Sequence, residues 1–156
     1  MTIGRRACLA VWLAGLPLAN PIGWAQSPSA AQPSSPRLAL KGYDPVAYFT
    51  DGQAMAGNPQ FEATYDGTRY RFASAGHLEL FKADPDRYAP QYAGACTAGI
   101  AMGVKLESDP QNWVIVDGKL FIFSSAATAD AMRADPAGII AKAQENWKTL
   151  AVAPYQ

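Results

Sequence analysis

The chain has little of what most catalytic and metal sites are built from. Its 156 residues include one histidine, His77, and two cysteines, Cys8 and Cys96. A lone histidine weakens both a Ser-His-Asp hydrolase reading and any multi-histidine metal site, and no G-x-S-x-G nucleophile turn is present. No glycine-rich phosphate loop follows a strand-like run, which argues against nucleotide binding. Basic clusters are absent too, and 13 basic side chains balance 13 acidic ones. Neither nucleic acid nor an anionic membrane surface is therefore an expected partner. The chain reads as a non-enzymatic protein.

Long hydrophobic runs are also missing. The one sustained apolar stretch, Cys8 to Ala19, is too short to span a bilayer. It follows Arg5 and Arg6 and is succeeded by Gly23-Trp24-Ala25, which places small residues at −3 and −1 of a cut before Gln26. That layout predicts a removable secretory signal over residues 1–25. The Arg5-Arg6 pair also raises twin-arginine export, but the rest of that motif is poor, so ordinary unfolded export is expected. Cys8 lacks the small and apolar residues that would precede a lipid-anchoring cysteine. The expected mature protein is periplasmic or secreted, carries a net charge of −2, and is not inserted in a membrane. It retains only Cys96, so an internal disulfide is excluded and stability must come from an apolar core. About 120 residues can bury enough surface for that.

What is present falls into a linker and one domain. Residues 26–37 are rich in Ser, Pro and Ala and read as a flexible tether; residues 38–150 carry the periodic structure. Phe61 to Tyr65, the Asp66-Gly67 turn and Thr68 to Phe72 predict a β-hairpin. Ser74 is placed to cap a helix running to about Ala83, with Leu78 and Phe81 on one face, which Asp84-Pro85 stops. The same grammar recurs 51 residues later: Trp113 to Val116, Asp117-Gly118, Lys119 to Phe123, a Ser125 cap, and a stop at Asp135-Pro136. Phe72, Ser74-Ala75 and Ala83-Asp84-Pro85 have identical counterparts at that offset. These features predict an internal duplication of a hairpin–helix unit. The expected fold is α+β, a small antiparallel sheet made by the two related units with helices packed on it. A last helix from Ala137 to about Leu150 places Ile140, Ala143 and Trp147 on one face.

Two constellations carry chemistry. His77, Cys96 and Met102, with Met55 as a further thioether, form a soft-ligand set that favours copper or another soft metal ion if they converge. Each also has a plain reading, His77 as a helix-start polar group, Cys96 as a buried small hydrophobe and Met102 as a core side chain. The Ala93 to Gly103 stretch around Cys96 suits either tight packing or a pocket wall. The second constellation is aromatic: Tyr43, Tyr48, Tyr70 and Tyr92, with Asp44, could line a ligand or partner surface. The same tyrosines read as core if Asp44, Asp66, Asp84 or Asp86 accept from their hydroxyls.

Gly42-Tyr-Asp-Pro-Val-Ala-Tyr-Phe49, Tyr65-Asp-Gly-Thr-Arg-Tyr-Arg-Phe-Ala-Ser74 and Phe81-Lys-Ala-Asp-Pro-Asp-Arg-Tyr88 together resemble the YHS domain family. The closest resemblance is to exported stand-alone members with a GYDPVAYF opening. The resemblance is strong over Leu38 to Tyr92 and looser to Trp147. It implies a small metal-binding or metal-sensing module. Metal-competent members similar to this chain carry cysteine where Ala47 and Ala73 stand here and a third near the helix start, where this chain has His77. The expected function is thus an exported, non-enzymatic binding module, with a metal ion such as copper bound through His77, Cys96 and Met102. The alternative is a metal-free interaction module that docks on a protein partner through the aromatic surface.

Overall fold

The computed structural model describes residues 35–156; the expected signal and residues 26–34 of the expected linker lie outside the described residues. The chain order is β1 (Arg37–Leu38), α1 (Ala47–Thr50), β2 (Asn58–Tyr65), β3 (Thr68–Phe72), α2 (Ala75–Ala83), α3 (Pro85–Tyr88), α4 (Thr97–Ala101), β4 (Asp109–Val116), β5 (Lys119–Phe123), α5 (Ala126–Ala134) and α6 (Pro136–Leu150). The α+β class holds. No helix among the described residues is long and apolar enough to cross a membrane.

Both hairpins form where the Asp-Gly pairs put them. Asp66 and Gly67 have φ of 46° and 67°, and Asp117 and Gly118 have 51° and 72°, the left-handed pair that a two-residue hairpin turn requires. An added Cβ at Gly118 would meet nothing within 4 Å. Gly118→Ala should therefore lower stability through the backbone alone, by about 1 kcal/mol in urea unfolding.

The two hairpins do not share one sheet, as the sequence suggests they would. They lie in separate sheets, one of three strands in the order β1-β3-β2 and one of two, β4-β5. The reason lies at the second edge of each hairpin. β3 is taken by the parallel strand β1, with Arg37 opposite Thr68, and β5 is met by an isolated parallel bridge from Cys96 to Ile122. Each hairpin thus pairs with the segment that precedes it, and neither offers that edge to the other.

The local likeness of the halves goes beyond the sequence identities. Both hairpins carry a register shift at the same place, Asn58/Glu62 and Asp109/Trp113. Each is preceded by a 3₁₀ turn, Ala39–Gly42 or Gln91–Gly94, containing two successive left-handed non-glycine residues. Ser74 and Ser125 cap α2 and α5 through the backbone N–H groups of His77 and Thr128. Asp84 and Asp135 end those helices as expected and also start the next ones, accepting from Arg87 N and Gly138 N with proline at the first helical position.

Side-chain alternation decides how the core is divided. In β3, Thr68, Tyr70 and Phe72 are buried while Arg69 and Arg71 turn away toward Glu62. In β5 the run Leu120 to Phe123 is buried on both faces. Leu120 and Ile122 join the cluster of Tyr48, Tyr70, Phe72 and Phe81; Phe121 and Phe123 join that of Tyr92, Ile100, Met132 and Ala143. Helix α4, in the small-residue stretch, packs on α6. A Cβ at Gly99 would stand 3.1 Å from Val104 O, so Gly99 serves close packing.

Candidate functional site

The loop after β1 delivers a carboxylate to the centre of the first unit. Asp44 is fully buried, and its backbone N–H donates to Met55 O at 2.8 Å. Its side chain has no solvent to satisfy it and is surrounded by donors instead. Oδ1 accepts from Val46 N at 2.8 Å and from Ala47 N at 3.4 Å, at the start of α1. Oδ2 accepts from Ala73 N at 2.7 Å, where β3 ends, and pairs with His77 Nδ1 at 2.6 Å. The first N–H groups of α1 thus face this charge, as does the backbone N–H just before the Ser74 cap of α2.

His77 is held there by local structure. The Ser74 cap accepts from His77 N at 3.2 Å, which fixes the imidazole in the first turn of α2. A carboxylate can only accept, so Nδ1 carries the proton of the Asp44 contact. In the neutral ring Nε2 is then left as the lone-pair nitrogen. Nε2 lies 3.4 Å from Thr50 Oγ1 and 3.5 Å from Asp51 Oδ2, and those two oxygens are 2.7 Å apart. Buried carboxylate, imidazole and outward-facing nitrogen form the arrangement that orients histidine ligands in metal sites.

Ala47, Ala73 and His77, where the resemblance expects cysteines, therefore converge, all three within hydrogen-bond reach of the Asp44 carboxylate. The comparison with known families falls on the same ground. Residues 46–92 match the family model of the YHS domain. The YHS match takes in α1, the first hairpin, α2 and α3, and ends before Cys96 and the second hairpin. It covers less than a third of the chain. No curated protein and no solved structure gives a significant match.

The other soft ligands, Cys96 and Met102 beyond the YHS match and Met55 within it, have different surroundings. Cys96 is 1 % exposed. Its Sγ accepts from Ser124 N at 3.3 Å and lies 3.4 Å from Ser124 Oγ. In the second unit it takes the place that Asp44 holds in the first, a buried acceptor for the backbone N–H just past the hairpin. Met102 is 74 % exposed at the end of α4, and Met55 is half-buried. Among the described residues, no group of three histidine, cysteine, aspartate or glutamate side chains is gathered to hold a metal ion.

The aromatic set divides differently from the sequence reading. Tyr48, Tyr70 and Tyr92 are 1, 3 and 7 % exposed and sit in the two core clusters; Tyr43 is half-buried. Tyr48 donates to Pro110 O at 3.0 Å, and burial pushes its hydroxyl far above the usual range. Asp44, grouped with these tyrosines by sequence, serves His77 instead. Asp86, by contrast, does accept from a tyrosine hydroxyl, that of Tyr65.

Thr50 and Asp51 were not legible as site residues. They carry no motif, and only the turn of α1 over Asp44 brings them to the imidazole.

Proposed function

We propose that this chain is an exported, non-enzymatic binding module of the YHS type, assembled from two copies of one hairpin–helix unit, whose ligand-accepting atom is His77 Nε2. The observation that carries this reading is the buried Asp44 carboxylate, which holds Nδ1 and leaves Nε2 facing Thr50 and Asp51. The duplication is supported by the matched register shifts, caps and left-handed turns of the two halves.

The donors here do not fit a thiolate metal site. Ala47 and Ala73 bring no ligand, and Cys96 is sealed against Ser124. What they fit is a weaker, open site in which an imidazole nitrogen and the Asp51 carboxylate would hold a borderline ion. Nitrogen and oxygen donors suit Cu(II) better than Cu(I).

Copper titration of residues 26–156 tests this. Cu(II) should bind with one nitrogen in its paramagnetic resonance spectrum. His77→Ala should weaken binding by at least about tenfold, and Asp51→Asn by about threefold, on the scale of losing one directional ligand. Cys96→Ser and Met102→Leu should leave it unchanged. Binding indifferent to His77, or a Cu(I) site that depends on Cys96 and Met102, would contradict the proposal. In the former case the metal-free interaction module becomes the better reading. It is favoured by one observation, the apolar groove of about 270 Å³ between α4, α5 and α6, where Met102 is exposed beside Ala98, Ala101 and Ile139.

A further inference from the structure

β4 has one edge that no strand covers: among the described residues it pairs with β5 alone. The two-residue turn makes Val116 and Lys119 a hydrogen-bonded pair, so Val114 and Phe121 form the next one. The backbone N–H and C=O groups of Trp113 and Ile115 therefore point away from β5. Arg133 agrees with that direction, since its Nη2 reaches across from α5 to Trp113 O at 3.3 Å. Proteins usually blunt such an edge with a lysine, a proline, another charge or a bulge. Asn112 to Val116 carries no charge and no proline, and the register shift lies before Trp113. The matching stretch of the first hairpin, Phe61 to Tyr65, is interrupted by Glu62.

This edge is one wall of a groove of about 450 Å³, within the ~300–1,000 Å³ of ordinary ligand sites. Five successive residues, Gln111 to Ile115, line it. A groove on one face of a strand would meet only alternate residues, so this one runs along the edge. The opposite wall is one face of α5, made by Ala126, Ala129 and Arg133. Gln111, Ala126 and Arg133 are exposed and Asn112 to Ile115 half-buried, so the groove opens to solvent. Its width is particular to the second unit. Where α5 has Ala129, α2 has Leu78, which packs against the first core.

We propose that this groove binds an extended peptide segment of a partner protein, bearing a carboxylate, as an added strand on β4. Main-chain groups supply the affinity in this mode of recognition, and here the N–H groups of Trp113 and Ile115 and the Ile115 C=O are turned outward to do so. Gln111 to Ile115 spans about 14 Å, room for four or five residues of extended chain. Charge selects among such segments. Arg133 is the one charged side chain of the lining, and its Nη1 holds only Asp130, at 2.6 Å. That exposed pair contributes little, so the guanidinium is available to a ligand carboxylate, with which it can form two parallel bonds. An unblunted edge could also pair with a second copy of the chain, but α5 stands beside it, and the slot between them suits a single strand better than a folded hairpin. The groove is separate from His77 and does not depend on the copper reading.

A phage-displayed library of random heptapeptides, selected on residues 26–156, supplies the probe. Selected peptides should be rich in Val, Ile and Thr, carry Asp or Glu, and lack a central proline. In the free protein the amides of Trp113 and Ile115 should exchange with deuterium much faster than those of Val114 and Val116. The synthesised peptide should slow Trp113 and Ile115 at least about tenfold and leave the other two unchanged. N-methylation at alternate peptide residues should abolish binding in one phase and spare it in the other, because only every second N–H faces β4. Arg133→Gln should weaken the acidic peptide by about threefold and leave its Asn or Gln analogue unaffected. Failure to select any peptide, a peptide that leaves the Trp113 and Ile115 amides unprotected, or equal effects of the two methylation phases would each overturn the proposal. Sedimentation showing a dimer that protects the same two amides without peptide would overturn it in favour of a second copy.

Discussion

Asp44→Ala is expected to lower the free energy of unfolding by about 3–5 kcal/mol, the cost of removing one partner from a buried charged network. The carboxylate is buried and receives Val46 N, Ala47 N, Ala73 N and His77 Nδ1. Without it four donors from three segments lose their acceptor, and water does not replace it at a fully buried position. Asp44→Asn should cost less, about 1–3 kcal/mol, since the amide keeps one acceptor oxygen and turns an NH₂ toward donors it cannot serve. Urea unfolding of the wild type, both variants, His77→Ala and the Asp44→Ala/His77→Ala double variant checks this. The two sites should be strongly non-additive, because the histidine variant already removes one of the four donors. A loss below about 1 kcal/mol for Asp44→Ala would mean that the loop repacks without its carboxylate.

Phe81→Ala should be comparably damaging, at about 3–5 kcal/mol for truncating a buried aromatic. Its ring centroid lies 5.0 Å from those of Tyr70 and Phe72 and 6.1 Å from Tyr65, joining α2 to β2 and β3. Phe81→Met should be much milder, under about 1.5 kcal/mol, because a flexible thioether fills irregular space. The molecule itself supports that expectation: Met132 occupies the matching position of α5 and is fully buried there. Thermal unfolding followed by circular dichroism separates the two outcomes, and equal losses for alanine and methionine would show that ring geometry matters more than filled volume.

The parts of this fold that were legible in sequence are those governed by near-neighbour chemistry. Asp-Gly between alternating runs can do little but turn, and serine before a helical pattern caps it, so both hairpins and both following helices stand where expected. Sheet partnership was not legible. β1 has only two residues, and the Cys96 to Ile122 bridge has no pattern at all, yet these two contacts occupy the β3 and β5 edges. The tyrosines left surface and core both open for a related reason. Their interleaving fits a surface and a core equally well, and only β3 alternation with the packing of α2 and α6 decides for burial.

The site shows the same limit more sharply. His77 stood out because it is alone, and Asp44 only as a companion of the tyrosines. Their pairing spans 33 residues and depends on where β3 ends. Cys96 attracted attention as a thiol, but it has a plainer role, that of a buried acceptor for Ser124 N as Asp44 is for Ala73 N. The two halves thus share a structural position with different chemistry, a carboxylate bound to Ala73 N and His77 in the first and a thiol bound to Ser124 in the second.

The most direct test of the account is the tautomer of His77, and the chain's single histidine makes the signal unambiguous. A long-range ¹⁵N–¹H correlation spectrum of residues 26–156, recorded where the ring is neutral, should show the proton on Nδ1 and a free Nε2. Zn(II), used as a diamagnetic stand-in for copper, should then shift Nε2 selectively. A ring protonated on Nε2, or one whose nitrogens ignore the metal, would contradict the central claim that Asp44 prepares His77 to accept a ligand.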